Sequence, residues 1–186
     1  MRLGILTGGG DCPGLNAVLR AVARRAGALG GGVGGLRNAW YGVRDDRWVV
    51  LDTRATRGIL PRGGTILSTS RGGPFDGIGS PDLVRDRLSA GGLDGLIVVG
   101  GNGSLTVAER LYREHGLPIV GVPKTIDNDV EGTDATFGFA TAVQIATDAI
   151  DRLHSTSESH DRVMIAEVMG RDTGWIAAHA GLAGGA

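Results

Sequence analysis

An α/β fold, with a mostly parallel sheet flanked by helices in a Rossmann-like arrangement, is predicted by three features of the chain. Short apolar runs alternate with segments of helical periodicity along its whole length. One of these runs, Leu96 to Val99, is apolar without a break, as in a strand buried on both faces. Two glycine-rich loops, at Gly8 and at Gly100, each lead from a strand into a helix.

The elements follow in order. Leu3 to Thr7 reads as the first strand, and Leu15 to about Ala28 as a helix that buries Leu15, Val18, Leu19 and Val22 while exposing Arg20, Arg24 and Arg25. Weak strands are expected near Val33 to Leu36 and at Trp48 to Leu51. The run Gly30 to Gly35 weakens the first of these and suggests a flexible edge segment or a relaxed duplicate of a normal strand. Pro81 suits the first turn of a helix reaching about Ala90. Ser104 is placed to cap a helix running through His115, which Gly116 ends. Leu117 to Val122 reads as a buried strand whose ladder Pro123 stops. A long helix is expected from about Phe137 to Leu153, a strand at Val163 to Val168, and a last helix at Trp175 to Leu182.

Composition narrows the function classes. The 186 residues suit one domain, and 41% apolar content supplies a core. A net charge of −1 with dispersed charges offers no nucleic-acid or membrane surface, and no apolar run is long enough to span a bilayer. No basic-then-apolar leader opens the chain, and the lone Cys12 suits a cytoplasmic setting. His115, His154, His160 and His179 lack metal-ligand spacing and read as surface or structural.

The loops carry the chemistry. Thr7-Gly8-Gly9-Gly10-Asp11-Cys12-Pro13-Gly14-Leu15-Asn16 follows a strand and opens a helix, so its backbone N–H groups could face an anion. It matches neither the dinucleotide fingerprint nor the Walker loop, and a simple tight turn stands as its alternative. Gly100-Gly101-Asn102-Gly103-Ser104 repeats the arrangement. Beside them, Pro123-Lys124-Thr125-Ile126-Asp127-Asn128-Asp129 puts one cation and two carboxylates at a strand end, where ligand chemistry sits in α/β proteins. A phosphate chain lying across all three accounts for them together. Arg71, before Gly72, is either a further cation or a solvated loop arginine. Arg171 is expected at the exit of the Val163 to Val168 strand. Arg162, at the opposite end, is either structural or serves a neighbouring subunit.

Taken in order, Gly8 to Asn16, Arg62-Gly63-Gly64-Thr65, Gly100 to Ser104, Pro123 to Asp129, Ser159-His160-Asp161-Arg162 and Met169-Gly170-Arg171 resemble the N-terminal half of the 6-phosphofructokinase family over nearly the whole chain. The resemblance implies the phosphofructokinase fold, with residues 1–186 as its phosphoryl-donor-binding domain and the sugar-binding C-terminal half missing. It implies transfer of a terminal phosphoryl group from ATP to the 1-hydroxyl of fructose 6-phosphate, a glycolytic step. In that scheme Asp127 is the base, and Thr125 and Asp129 orient the sugar and the metal-phosphate. Arg171 and the backbone N–H of Gly10 stabilise charge on the moving group. The donor side takes in Gly10, Arg71, Gly72, Gly101, Asn102, Gly103 and Ser104. The sugar side takes in Thr125, Ile126, Asp127, Met169, Gly170 and Arg171, with Arg162 reaching the sugar phosphate of an adjacent subunit in a homotetramer or homodimer.

Two positions bear on the donor. In the family a glycine at position 103 leaves room for a nucleotide, whereas lysine at position 124 accompanies pyrophosphate. The pair resembles the mixed-substrate subgroup, and ATP is favoured because a hostile contact excludes a donor whereas an extra lysine only adds attraction. Mg²⁺ is the implied cofactor, and Asn102 stands where the family has an acidic ligand for it. The chain also stops at Ala183-Gly184-Gly185-Ala186 without a closing element, which reads as an interruption. The alternatives are a pyrophosphate-dependent enzyme and a catalytically incomplete nucleotide-binding fragment or regulatory half.

Overall fold

A computed structural model describes all residues 1–186. The chain divides into two compact units, Met1–Lys124 and Thr125–Ala186.

In the first unit, strand β1 (Arg2–Thr7) leads into helix α1 (Leu15–Ala28), and β2 (Gly32–Leu36) into a short helix α2 (Trp40–Arg44) and strand β3 (Trp48–Val50). Helix α3 (Pro81–Ala90), strand β4 (Gly95–Gly100), helix α4 (Asn102–His115) and strand β5 (Ile119–Thr125) follow. β1 pairs in parallel with β2 and with β4, and β4 in parallel with β5; only β3 runs antiparallel, against β2. The sheet is therefore mostly parallel, in the order β3-β2-β1-β4-β5-β6. The edge strand β6 (Phe137–Gly138) lies in the second unit, as does the last residue of β5, Thr125.

Helix α1 forms where the apolar spacing placed it, burying Leu15, Val18, Leu19, Ala23 and Ala26. Helix α3 begins at Pro81, and the Ser80 hydroxyl accepts from the Leu83 N–H, so both N-terminal signals are used. The core of this unit gathers Leu6, Leu36, Trp40, Leu96, Val98 and Leu111 between sheet and helices.

The glycine run is not a flexible edge. β2 sits inside the sheet, between β1 and β3. The Trp48 ring lies where a side chain on Gly34 would be, 3.2 Å from an added Cβ, and it also approaches Gly4 at 3.4 Å. On the opposite face a Cβ on Gly35 would come within 2.5 Å of Leu67 and 3.0 Å of Leu51. The missing side chains make room for larger neighbours from adjoining segments.

Three further expectations are corrected. Pro123 does not stop the ladder: β5 runs on to Thr125, with Pro123 paired in register with Gly100. A strand residue directs its N–H to one neighbour only, so proline forfeits a single bond there. Nor is β5 a fully buried strand, since Val120 is exposed. Ser104 is not the cap of α4. Gly101 takes that place in extended conformation, and Ser104 lies within the first helical turn.

The second unit holds β6, the long helix α5 (Phe139–His160) and α6 (Trp175–Ala183). α5 starts two residues after the expected position and continues past Leu153 to His160, where Asp161 in the left-handed region ends it. Its apolar face meets α6 through Ala146, Ile176 and Ala180, joined by Phe139, Val143 and Ile150. The strand expected at Val163 to Val168 does not form, and Val163 and Ile165 are each 93% exposed. The alternation of that segment suits a strand, but no neighbouring strand offers its backbone a partner. Arg162 and Arg171 therefore do not stand at opposite ends of one strand.

No helix is long and apolar enough to cross a membrane.

Candidate active site

The order of the sheet reverses between β1 and β4: the chain proceeds from β1 outward through β2, then returns to β4 and β5 on the other side. Ligands of α/β sheets bind outside the strand ends at such a switch point. Both glycine loops leave the sheet there. The Gly8 N–H donates to the Val99 carbonyl at 2.9 Å, tying the two strand ends together. Ser104 packs into the space that side chains on Gly8 and Gly100 would need, 2.6 Å and 2.4 Å from the added Cβ atoms. Only glycine at both positions lets the loops approach this closely.

A second layer supports the first loop. The Gly9 N–H donates to the Ser70 carbonyl at 2.9 Å, and the Thr69 hydroxyl donates to the Gly9 carbonyl at 2.7 Å. Asn16, 1% exposed, donates to the carbonyls of Arg62 and Gly63 at 3.0 and 3.3 Å and accepts from the Ile66 N–H at 2.9 Å. Thr7 bonds Thr65 at 3.1 Å and donates to the Ser68 carbonyl at 2.9 Å. The Arg62 to Ser70 segment is thus built onto the loop. A polar Asn16 on the otherwise apolar buried face of α1 was the sequence signal for it.

Lys124, 3% exposed, donates from Nζ to the Gly10 carbonyl at 2.5 Å. Gly10, Arg71, Gly72, Asn102 and Gly103 are exposed, while Gly101 and Ser104 are half-buried. Around Gly103 an added Cβ would meet nothing within 4 Å. The chain gathers no group of three His, Cys, Asp or Glu side chains fit to hold a metal ion.

Cys12 lies in the first loop at 5% exposure. Burial pushes its thiol up to about 11, with Asp11 adding to the rise and Lys124 opposing it. The folded chain therefore keeps the thiol proton to higher pH than the unfolded chain does. As pH rises from the ordinary 9.0 towards about 11, the unfolded thiol ionises first and folding is opposed in that window. Iodoacetamide at pH 8 should alkylate native Cys12 about a hundredfold more slowly than the urea-unfolded chain. Equal rates would show that the loop does not shield the thiol.

In the second unit, Thr125 and Asp127 form a closed pair. The Thr125 hydroxyl donates to Asp127 Oδ2 at 3.1 Å, and the Asp127 N–H donates back to Thr125 Oγ1 at 3.1 Å. Asp127 Oδ1 carries no bond from the chain. Asn128, in the left-handed region at φ 53°, accepts from the Thr136 N–H at 2.9 Å, and Thr136 donates to the Thr125 carbonyl at 2.7 Å. Arg171 comes to 3.8 Å from Asp129 Oδ2, with 63% of its side chain exposed. Thr173, which sequence reasoning missed, lies 3.1 Å from both the Asp127 and Gly170 carbonyls. Folding therefore brings Thr125, Asp127, Asp129, Gly170 and Arg171 together. Ile126 packs into the apolar cluster of this unit, Met169 is exposed, and the Arg162 N–H donates to the Ser157 carbonyl just past α5.

Residues 2–186 match the family model described as Phosphofructokinase. The chain belongs to the phosphofructokinase family. Among phosphofructokinase relatives, a pyrophosphate–fructose 6-phosphate 1-phosphotransferase of Streptomyces coelicolor is 57% identical over all of this chain and 55% of its own length. From the same organism, ATP-dependent 6-phosphofructokinase 3 is 55% identical over all of this chain and 54% of its own length. The chain thus spans about half the length of these curated relatives. Among solved structures, Pichia pastoris phosphofructokinase in the T-state superposes with a TM-score of 0.92 at 34% identity, covering 100% of this chain and 22% of that one. The phosphofructokinase of Saccharomyces cerevisiae does so with 0.88 at 33%, covering 100% and 28%.

Proposed function

We propose that this chain forms the donor-binding and proton-accepting part of a 6-phosphofructokinase that transfers the terminal phosphoryl group of ATP to the 1-hydroxyl of fructose 6-phosphate. The observation that carries the reading is Asp127, whose carboxylate is fixed through Oδ2 by Thr125 while Oδ1 is left to accept a proton. A base so oriented acts by position, taking the sugar hydroxyl's proton as the new O–P bond forms. The backbone N–H groups of the glycine loop and the start of α4 supply donors for phosphate oxygens. Arg171 adds a guanidinium for charge on the moving group. Met169, Gly170 and Ile126 shape the sugar side, and Arg162 serves a second copy in a homo-oligomer.

Mg²⁺ fits such a site when the donor phosphates and water provide most of its ligands, since the chain builds no carboxylate cage. Asn102, at the start of α4, would contribute an amide oxygen.

ATP is favoured over pyrophosphate because the space around Gly103 is open. Relatives named for each donor match almost equally well, so overall identity does not choose between them, and the open space at Gly103 is what supports ATP. Titration calorimetry with Mg-ATP and with Mg-pyrophosphate tests the choice. The wild type should bind Mg-ATP, and Gly103→Asp should weaken that binding by about tenfold or more through like-charge repulsion. A wild type that binds pyrophosphate alone would reverse the assignment.

A further inference from the structure

Lys124 occupies an unusual place for a residue expected to attract a donor. The residue is 3% exposed, and its ammonium donates to the Gly10 carbonyl, 114 positions away in the chain. Burying an ammonium costs several kcal/mol unless its donors are used, so a buried lysine bonded to a carbonyl is positioned for that carbonyl. The strand order explains the reach. β1 and β5 flank β4, and Lys124, near the end of β5, extends past the end of β4 to the loop that follows β1.

The consequence lies in the next peptide bond. In a trans peptide the C=O and N–H point in opposite directions. With the Gly10 carbonyl drawn inward to Lys124, the Asp11 N–H is turned outward. Gly10 and Asp11 are both exposed, and neither of their N–H groups is bonded within the chain. One residue earlier, Gly9 is held at its N–H by Ser70 and at its carbonyl by Thr69. The Gly9 N–H, the Gly9 carbonyl and the Gly10 carbonyl are thus anchored, which turns the Gly10 and Asp11 N–H groups away from these bonds.

We propose that Lys124 is a positioning residue: a strut that holds the first glycine loop in its anion-binding conformation for either phosphoryl donor, rather than a group that selects pyrophosphate by touching it. The proposal rests on the reading of that loop as the donor loop. Donor selection then falls to the space at Gly103, and the mixed pattern of Lys124 with Gly103 holds no contradiction.

The test compares Lys124→Met with Lys124→Gln. Methionine keeps the length and apolar stem and removes the hydrogen bond; glutamine restores an uncharged donor. Calorimetric titration with Mg-ATP and with Mg-pyrophosphate should show both donors weakened about tenfold by Lys124→Met, by factors agreeing within about twofold, with most of the loss recovered in Lys124→Gln. Amide hydrogen exchange, read by NMR without any donor, should speed up by about tenfold at Gly8 and Gly9 in Lys124→Met while Ile5 and Val98 keep wild-type protection. A loss confined to pyrophosphate, with exchange unchanged, would overturn the strut and restore direct contact. A glutamine variant no better than methionine would assign the effect to charge and also overturn it. If the wild type binds neither donor, the donor reading fails by itself, and unchanged exchange at Gly8 and Gly9 would separately remove the strut.

Discussion

Replacing Asp127 with serine is expected to lower phosphoryl transfer to fructose 6-phosphate by about 10³-fold, within the usual range for loss of a general base. Serine shortens the side chain and removes the proton-accepting oxygen. The Thr125 hydroxyl loses its acceptor, while the bond from the residue-127 N–H to Thr125 Oγ1 keeps the backbone in place. The loss should therefore fall on kcat, with Mg-ATP binding by calorimetry close to wild type. Turnover is measured in the chain extended to the length of its relatives if the 186-residue form is silent. A serine variant that keeps its rate would remove Asp127 from the proposed proton transfer.

The largest stability effect is expected at Asn16→Leu. Leucine has a similar branched outline but cannot bond the carbonyls of Arg62 and Gly63 or accept from the Ile66 N–H. Leaving such groups unsatisfied next to a buried site costs about 3 kcal/mol in total, far more than the added apolar contact returns. Urea unfolding followed by circular dichroism measures it. A cost below about 1 kcal/mol would mean that the Arg62 to Ile66 segment finds other partners, and that its packing against α1 is incidental.

Local signals carried much of the fold. α1 was legible because its apolar spacing is regular, and α3 because serine and proline stand together at its start. β4 was legible from an unbroken apolar run flanked by glycines. The misreadings share one cause: each depended on what lies beside a segment in space. Val163 to Val168 has the composition of a strand and no strand to pair with, and Pro123 stays in a ladder that can spare its bond. Lys124 was legible as a cation near phosphate loops, but not as one already bonded to Gly10. Asn16 gains partners 46 to 50 positions away, and Thr173 one that is 46 positions away, beyond the reach of any short motif.

Gly34 and Trp48 carry a last consequence. The indole occupies the volume that a side chain on the neighbouring strand would fill, so the two positions share one quantity of space. Neither can be altered alone: a branched residue at 34 would drive the ring off the sheet, and a small residue at 48 would leave a hollow over bare backbone. In the glycine-rich tract the bulk that β2 lacks is supplied by its antiparallel neighbour, so the layer keeps its thickness.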